Sequence, residues 1–201
     1  MDTAGDLELA ERWFDDWRQW LRAKAPADGR ARRPDWRADE PPPPVAAMRT
    51  AALHHPDARR RREALGVLDH WANDESTDVF RFALQDPVPA VRVVALHGLS
   101  CERCRSTDLC VTDVVGDLVR SLEEDPSPKV RHGLVPILRR LADRDDRARA
   151  ALARAADDDA DDLVRQVAAA ALEGRARDVR SRKALRRRAR RRPSRASNGE
   201  L

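Results

Sequence analysis

Apolar residues recur along this chain at helical period. Leu9, Trp13, Trp17, Trp20 and Leu21 fall on one stripe and predict an N-terminal helix over residues 6–23. Residues 24–44 break the pattern with Pro, Arg, Asp and Gly and end in Pro41-Pro42-Pro43-Pro44, an extended spacer that cannot be helical. From Val45 the helical period returns and itself repeats. Ala64/Leu65/Leu68, Ala95/Leu96/Leu99, Leu134/Val135/Leu138 and Ala168/Ala169/Leu172 mark the second helices of successive hairpins. First helices are expected over 45–54, 75–85, 112–124 and 145–156, with Val79/Phe80/Phe82/Ala83 and Val114/Val115/Leu118/Val119 as apolar faces.

The turns repeat with the helices. Asp86-Pro87-Val88-Pro89-Ala90-Val91-Arg92, Asp125-Pro126-Ser127-Pro128-Lys129-Val130-Arg131 and Asp159-Ala160-Asp161-Asp162-Leu163-Val164-Arg165 superpose without gaps. His55-Pro56-Asp57-Ala58-Arg59-Arg60-Arg61 is a degenerate fourth copy. The arginines at 61, 92, 131 and 165 lie 31, 39 and 34 residues apart, a solenoid period. Proline ends one helix and biases its predecessor to extended geometry, while Ser127 or Asp161 is placed to cap the next helix. A hairpin of this kind cannot bury its apolar face alone, so stacking completes the core.

The pattern D-P-x-x-x-V-R-x-x-A-x-x-x-L resembles HEAT repeats, including the HEAT-like repeats of bilin lyases and related bacterial proteins, over residues 45–173. The resemblance implies an all-α fold, a right-handed α–α superhelix of about four helical hairpins. It also implies that the turn aspartates Asp86, Asp125 and Asp159 pair along the stack with Arg92, Arg131 and Arg165, so these charges belong to structure. HEAT families include scaffolds, lyases and nucleic-acid repair proteins, and fold alone does not choose among them.

Composition sharpens this picture. The chain is 37% charged and 4% aromatic, with no Tyr and a mean hydropathy of −0.70, which suits thin layers better than a thick globular core. Its formal charge of +4 is unevenly spread. Residues 174–201 carry 12 Lys and Arg against 2 Asp and Glu, a net +10, and residues 1–173 carry 27 against 33, a net −6. An acidic body argues against a broad nucleic-acid platform; the basic tail, expected to be disordered, suits salt-dependent contacts with a polyanion. No segment approaches the ~18 consecutive apolar residues of a membrane span. The acidic start MDTAGDLELAERW lacks the features of a signal peptide, and a cytoplasmic location is expected.

The candidate chemistry sits in the 39-residue interval, where residues 97–110 form an insertion holding all three cysteines. His97 and Cys101 are four apart at a helix end and share a face. Cys104 follows at the C-x-x-C step and Cys110 closes the loop. Three thiolates and one imidazole make a complete donor set for tetrahedral zinc, which would clip one helix to the next. The segment also resembles a group of bacterial HEAT-repeat proteins carrying H-x-L-x-C-x-x-C-[KR] and a further Cys. His97, Leu99, Cys101, Cys104, Arg105 and Cys110 fit that pattern. His132 is an alternative fourth ligand; inert reduced thiols and a Cys101–Cys104 redox pair are the other readings.

Three Trp on the first stripe read either as a stacking platform or as a helix docked by its aromatic face. His54, His55 and His70 read as polar surface or satisfied residues, and the acidic run 157–162 as a solvated turn, since it lacks the Gly and terminal Glu of a calcium loop. With no Ser–His–Asp spacing, phosphate loop or carboxylate pair, a non-catalytic scaffold holding another protein on the concave face of its second helices is expected. Nucleic-acid association through the tail and a bilin-lyase-like chaperone are the alternatives.

Overall fold

In the computed structural model, which describes residues 2–24, 40–102 and 113–173, every regular element is helical. In order these are α1 (Thr3–Lys24), α2 (Val45–His54), α3 (Ala58–Trp71), a 3-10 turn (Asp74–Ser76), α4 (Thr77–Ala83), α5 (Pro89–Ser100), α6 (Val114–Glu124), α7 (Pro128–Leu141), α8 (Asp146–Asp158) and α9 (Asp162–Leu172). The chain divides into two compact units, Met1–Asp117 and Leu118–Leu201, with the division inside α6. Most of the spacer, the loop with Cys104 and Cys110, and the basic tail lie outside the described residues.

In the first unit α2 and α3 form one hairpin and α4 and α5 another. Like helices of the two hairpins lie side by side, α2 on α4 and α3 on α5. Small side chains let α2 approach closely, with Ala47, Ala51 and Ala52 buried beside Met48. Phe80 and Leu65 are fully buried between the layers. Burial of each such large side chain is worth about 1.5–3 kcal/mol. In the second unit α7 packs on α8 and α9, closing over Leu134, Leu138, Leu152 and Val164.

The N-terminal helix docks by its aromatic face. It packs on α2 and buries Ala10, Trp13 and Phe14, with Trp13 stacked on Trp17 at 5.7 Å. The indole N–H of Trp13 donates to the Pro42 carbonyl (3.2 Å), and that of Trp17 to Glu40 Oε1 (2.7 Å). The helix begins at Thr3, earlier than its apolar stripe, and its buried edge is turned from the expected one: Leu9 is exposed and Phe14 replaces it. The Arg60 guanidinium lies over the Phe14 ring, 5.1 Å from its centroid, and holds Glu11 at 2.5 Å, which favours this rotation.

Two apolar residues assigned to helix faces are solvent-exposed. Phe82 is 61% exposed because Val79, Phe80 and Ala83 define the buried side of α4, and Phe82 stands two positions, about 200°, from Phe80. On α9 the buried stripe is Val164, Val167, Ala168 and Ala171, which leaves Leu172 outside it.

The repeated turn carries a repeated clamp. In each copy the arginine guanidinium donates through Nη1 to the carbonyl six residues earlier: Arg61 to His55 (2.8 Å), Arg92 to Asp86 (2.7 Å), Arg131 to Asp125 (2.7 Å), and Arg165 to Asp159. Arg61 then grips Asp86 with Nε (2.6 Å) and Nη2 (3.0 Å), and Arg131 grips Asp159 with the same two nitrogens at 2.8 Å each. The turn carboxylate also takes a backbone N–H two residues on, from Val88, Ser127 and Asp161 to Asp86, Asp125 and Asp159 (2.8 Å each). The Asp-Pro turn thus fixes its own backbone as well as its neighbour's arginine. Ser127 makes no side-chain cap, while Asp161 accepts from Leu163 and Val164 at the start of α9.

Candidate metal centre

The end of α5 meets the end of α3. α5 starts on Pro89, whose missing N–H costs nothing in a first turn, and runs to Ser100, with Cys101 following in extended geometry. Its approach to α4 requires glycine at 98: a Cβ there would fall 2.5 Å from Cε1 of the buried Phe80 ring. The close approach also brings the Gly98 carbonyl to Asn73, whose Nδ2 donates to it at 2.9 Å.

His97 and Cys101, four residues apart, come together as their spacing predicts, and a third group joins them. Asp69 on α3 completes a cluster in which one imidazole nitrogen, the thiol sulfur and a carboxylate oxygen lie within 4.8 Å of one another. Asp69 Oδ2 is 3.4 Å from His97 Nε2 and 3.9 Å from His70 Nδ1. The Asp69 side chain is 2% exposed, whereas that of His97 is 61% exposed. The cluster therefore has a buried acidic wall and an open imidazole side. Cys104 and Cys110 lie outside the described residues. His132 lies in the second unit, on α7.

The electrostatics are coherent. Burial pushes the Asp69 carboxyl up, but hydrogen bonding to His97, the charges of His97 and His70, and the Asn73 amide outweigh it, so the carboxyl lies below its ordinary range. Donation of a hydrogen bond to the Asp69 carboxylate, against the opposing effect of burial, lifts the His97 imidazole above its usual value, and Cys101 adds to the lift. An imidazole nitrogen, a thiol sulfur and a carboxylate oxygen, the three donors gathered among the described residues, are each of a type that metal ions take.

Asp69 is absent from the sequence-derived ligand set, yet a signal for it exists. Leu65, Leu68, Asp69 and Ala72 occupy i, i+3, i+4 and i+7, and all four are buried. A carboxylate on the apolar stripe of a helix must find a partner, and a histidine in the adjacent hairpin supplies one.

The remaining histidines are structural or peripheral. His55 accepts the Asp57 N–H through Nδ1 (3.0 Å) and presents Nε2 to Glu11 (3.0 Å), tying the first turn to α1. A hollow of about 350 Å³ beside it is lined by Leu53, His54, Phe82, Gln85 and Pro87 among others. Compared with known proteins, the chain matches no family model, no curated protein and no solved structure.

Proposed function

We propose that this chain is a non-catalytic HEAT-like interaction scaffold: a right-handed α–α superhelix whose second helices, α3, α5, α7 and α9, offer a concave protein-binding face. A structural zinc ion held by His97, Cys101, Cys104 and Cys110 clips its longest inter-repeat connection. What carries the reading is the recurring clamp, with Arg61–Asp86 and Arg131–Asp159 repeating the same bidentate geometry in separate units. Identical turn chemistry at solenoid period is what a stacked repeat needs, and stacked repeats present extended surfaces. Trp71 on α3 and Leu172 on α9 are exposed apolar side chains on second helices, suited to meeting an apolar partner. The His97–Cys101 pair supports the zinc clip, with Asp69 behind the imidazole.

The test is affinity capture with the full chain at moderate salt, followed by chemical cross-linking and mass spectrometry. Cross-links to one protein on α3, α5, α7 or α9, weakened by Trp71→Asp, are expected. Cross-links confined to residues 174–201 and lost as salt rises would instead favour the second reading, polyanion binding through the tail with its net charge of +10.

A further inference from the structure

Asp69, His97 and Cys101 stand where two stacked helices end, and three features of that place suit a cation. The first is the charge of the helix ends. α3 stops at Trp71 and α5 at Ser100, so Asp69 and His97 lie in last turns and Cys101 directly follows one. Each helix C-terminus carries about −0.5 of an elementary charge. Two such ends meet beside a buried carboxylate. The second is spacing. Asp69 Oδ2 and His97 Nε2 are 3.4 Å apart, longer than the ~2.7–2.9 Å of a tight charge-assisted hydrogen bond. Zinc bonds to oxygen and nitrogen at a tetrahedral angle hold the two donors about 3.3–3.5 Å apart. The Cys101 sulfur lies within 4.8 Å of both other donors. It reaches its own tetrahedral distance by closing in no more than about 1.3 Å. The third is fixation. Asn73, itself buried, donates through Nδ2 to Asp69 Oδ1 (2.7 Å) and to the Gly98 carbonyl (2.9 Å), which holds the carboxylate with Oδ2 turned to α5.

We infer that Asp69 is itself a metal ligand: with His97 and Cys101 it binds a zinc ion that staples the last turn of α3 to the end of α5. The inference rests on the zinc reading above and alters what the ion does. A clip within one inter-repeat connection leaves α3 untouched, whereas a carboxylate ligand on α3 makes the ion a cross-link between stacked hairpins. The donors choose the metal. Calcium and magnesium take oxygen ligands, and a mixed oxygen, nitrogen and sulfur set is one that zinc accepts. The buried carboxylate forms the floor of the site, and the exposed imidazole marks the side from which the ion enters.

The experiment uses the full chain with zinc as the probe. Chelator competition reads affinity, zinc K-edge X-ray absorption counts sulfur neighbours, and far-UV CD checks that each variant keeps its helices. Asp69→Ala should weaken zinc binding by more than about 100-fold, beyond the 10–100-fold cost of losing an outer partner. Asp69→Cys, which returns a zinc donor to the same place, should recover binding and add one sulfur to the zinc shell. The wild type supplies a readout that needs no substitution: zinc should slow amide hydrogen exchange at residues 69–73 together with residues 97–101. A loss of about 100-fold or less in Asp69→Ala overturns the inference and leaves the zinc reading intact. So does an Asp69→Cys variant that binds zinc no better than Asp69→Ala, or binds it with no added sulfur. If neither variant folds, wild-type protection confined to residues 97–101 overturns it. A wild type that binds no zinc overturns both.

Discussion

Replacing Asp86 with Ala removes, in one step, both carboxylate bonds to Arg61 and the acceptor for the Val88 N–H. The pair is well shielded: the Arg61 side chain is 11% exposed and that of Asp86 is 7% exposed. Truncation leaves a guanidinium that keeps its bonds to the His55 and Pro56 carbonyls but loses its counter-charge. Breaking one side of a buried pair costs about 3–5 kcal/mol, and losing the side-chain acceptor of the turn's N–H costs about 0.5–2 kcal/mol. With a urea m-value of ~1–3 kcal/mol/M, a loss of about 3 kcal/mol lowers the unfolding midpoint by at least ~1 M. The four Trp among the described residues, Trp13, Trp17, Trp20 and Trp71, lie in the first unit, so Trp fluorescence reports on the unit that holds this clamp. The control is Glu123→Ala, which breaks an exposed pair with Arg154 and should cost less than about 1 kcal/mol. If Asp86→Ala shifts the fluorescence midpoint no more than Glu123→Ala shifts the far-UV CD transition, the clamp is not what holds the repeats.

Further outcomes follow from the same geometry. Gly98→Ala should destabilise the chain by about 1–3 kcal/mol, because Phe80 is fully buried and has nowhere to yield; a urea titration of the variant and of Gly98→Ala/Phe80→Leu, which should recover part of the loss, checks this. The carboxyls of Asp86 and Asp159 are pushed up by burial but pulled further down by Arg61, Arg131 and backbone N–H groups, so their folded values lie below the unfolded one. Their stabilisation is therefore complete above the unfolded carboxyl value of ~3.9 and is lost as pH falls through the folded values; the wild-type advantage over Asp86→Asn in urea should narrow only below about pH 4. Trp13→Ala should cost about 3–5 kcal/mol and expose α1 to limited proteolysis before the rest of the first unit, as read by mass spectrometry of the fragments.

The helical layout was legible because period and punctuation agreed. Proline at Pro87 and Pro126 fixed where helices stop, and the expected first helices at 45–54, 112–124 and 145–156 match α2, α6 and α8 to within two residues at each end. The 75–85 stretch is split because Asp74–Ser76 tightens into a 3-10 turn before α4. Rotation about a helix axis was harder to read. Leu9 and Phe82 look interchangeable with their buried neighbours until Arg60 and the α4–α5 contact choose a side. The arginines and aspartates of the turn announced themselves by spacing, and the 31- and 34-residue intervals end in carboxylate–guanidinium pairs. Asp69 was not legible from the Cys–His segment, because its relation to His97 is made by packing between hairpins, across a sequence separation of 28 residues. Sequence spacing picks out candidate ligands on one element; a partner on the next hairpin appears only when the helices are laid side by side.

Native mass spectrometry of the untagged full chain, with thermal unfolding before and after chelation, tests most directly the claim that a repeat scaffold is clipped by metal. The wild type should carry about one zinc per chain and lose thermal stability on chelation, and Cys104→Ser should lose both zinc and stability. A metal-free wild type as stable as the chelator-treated protein would contradict the account.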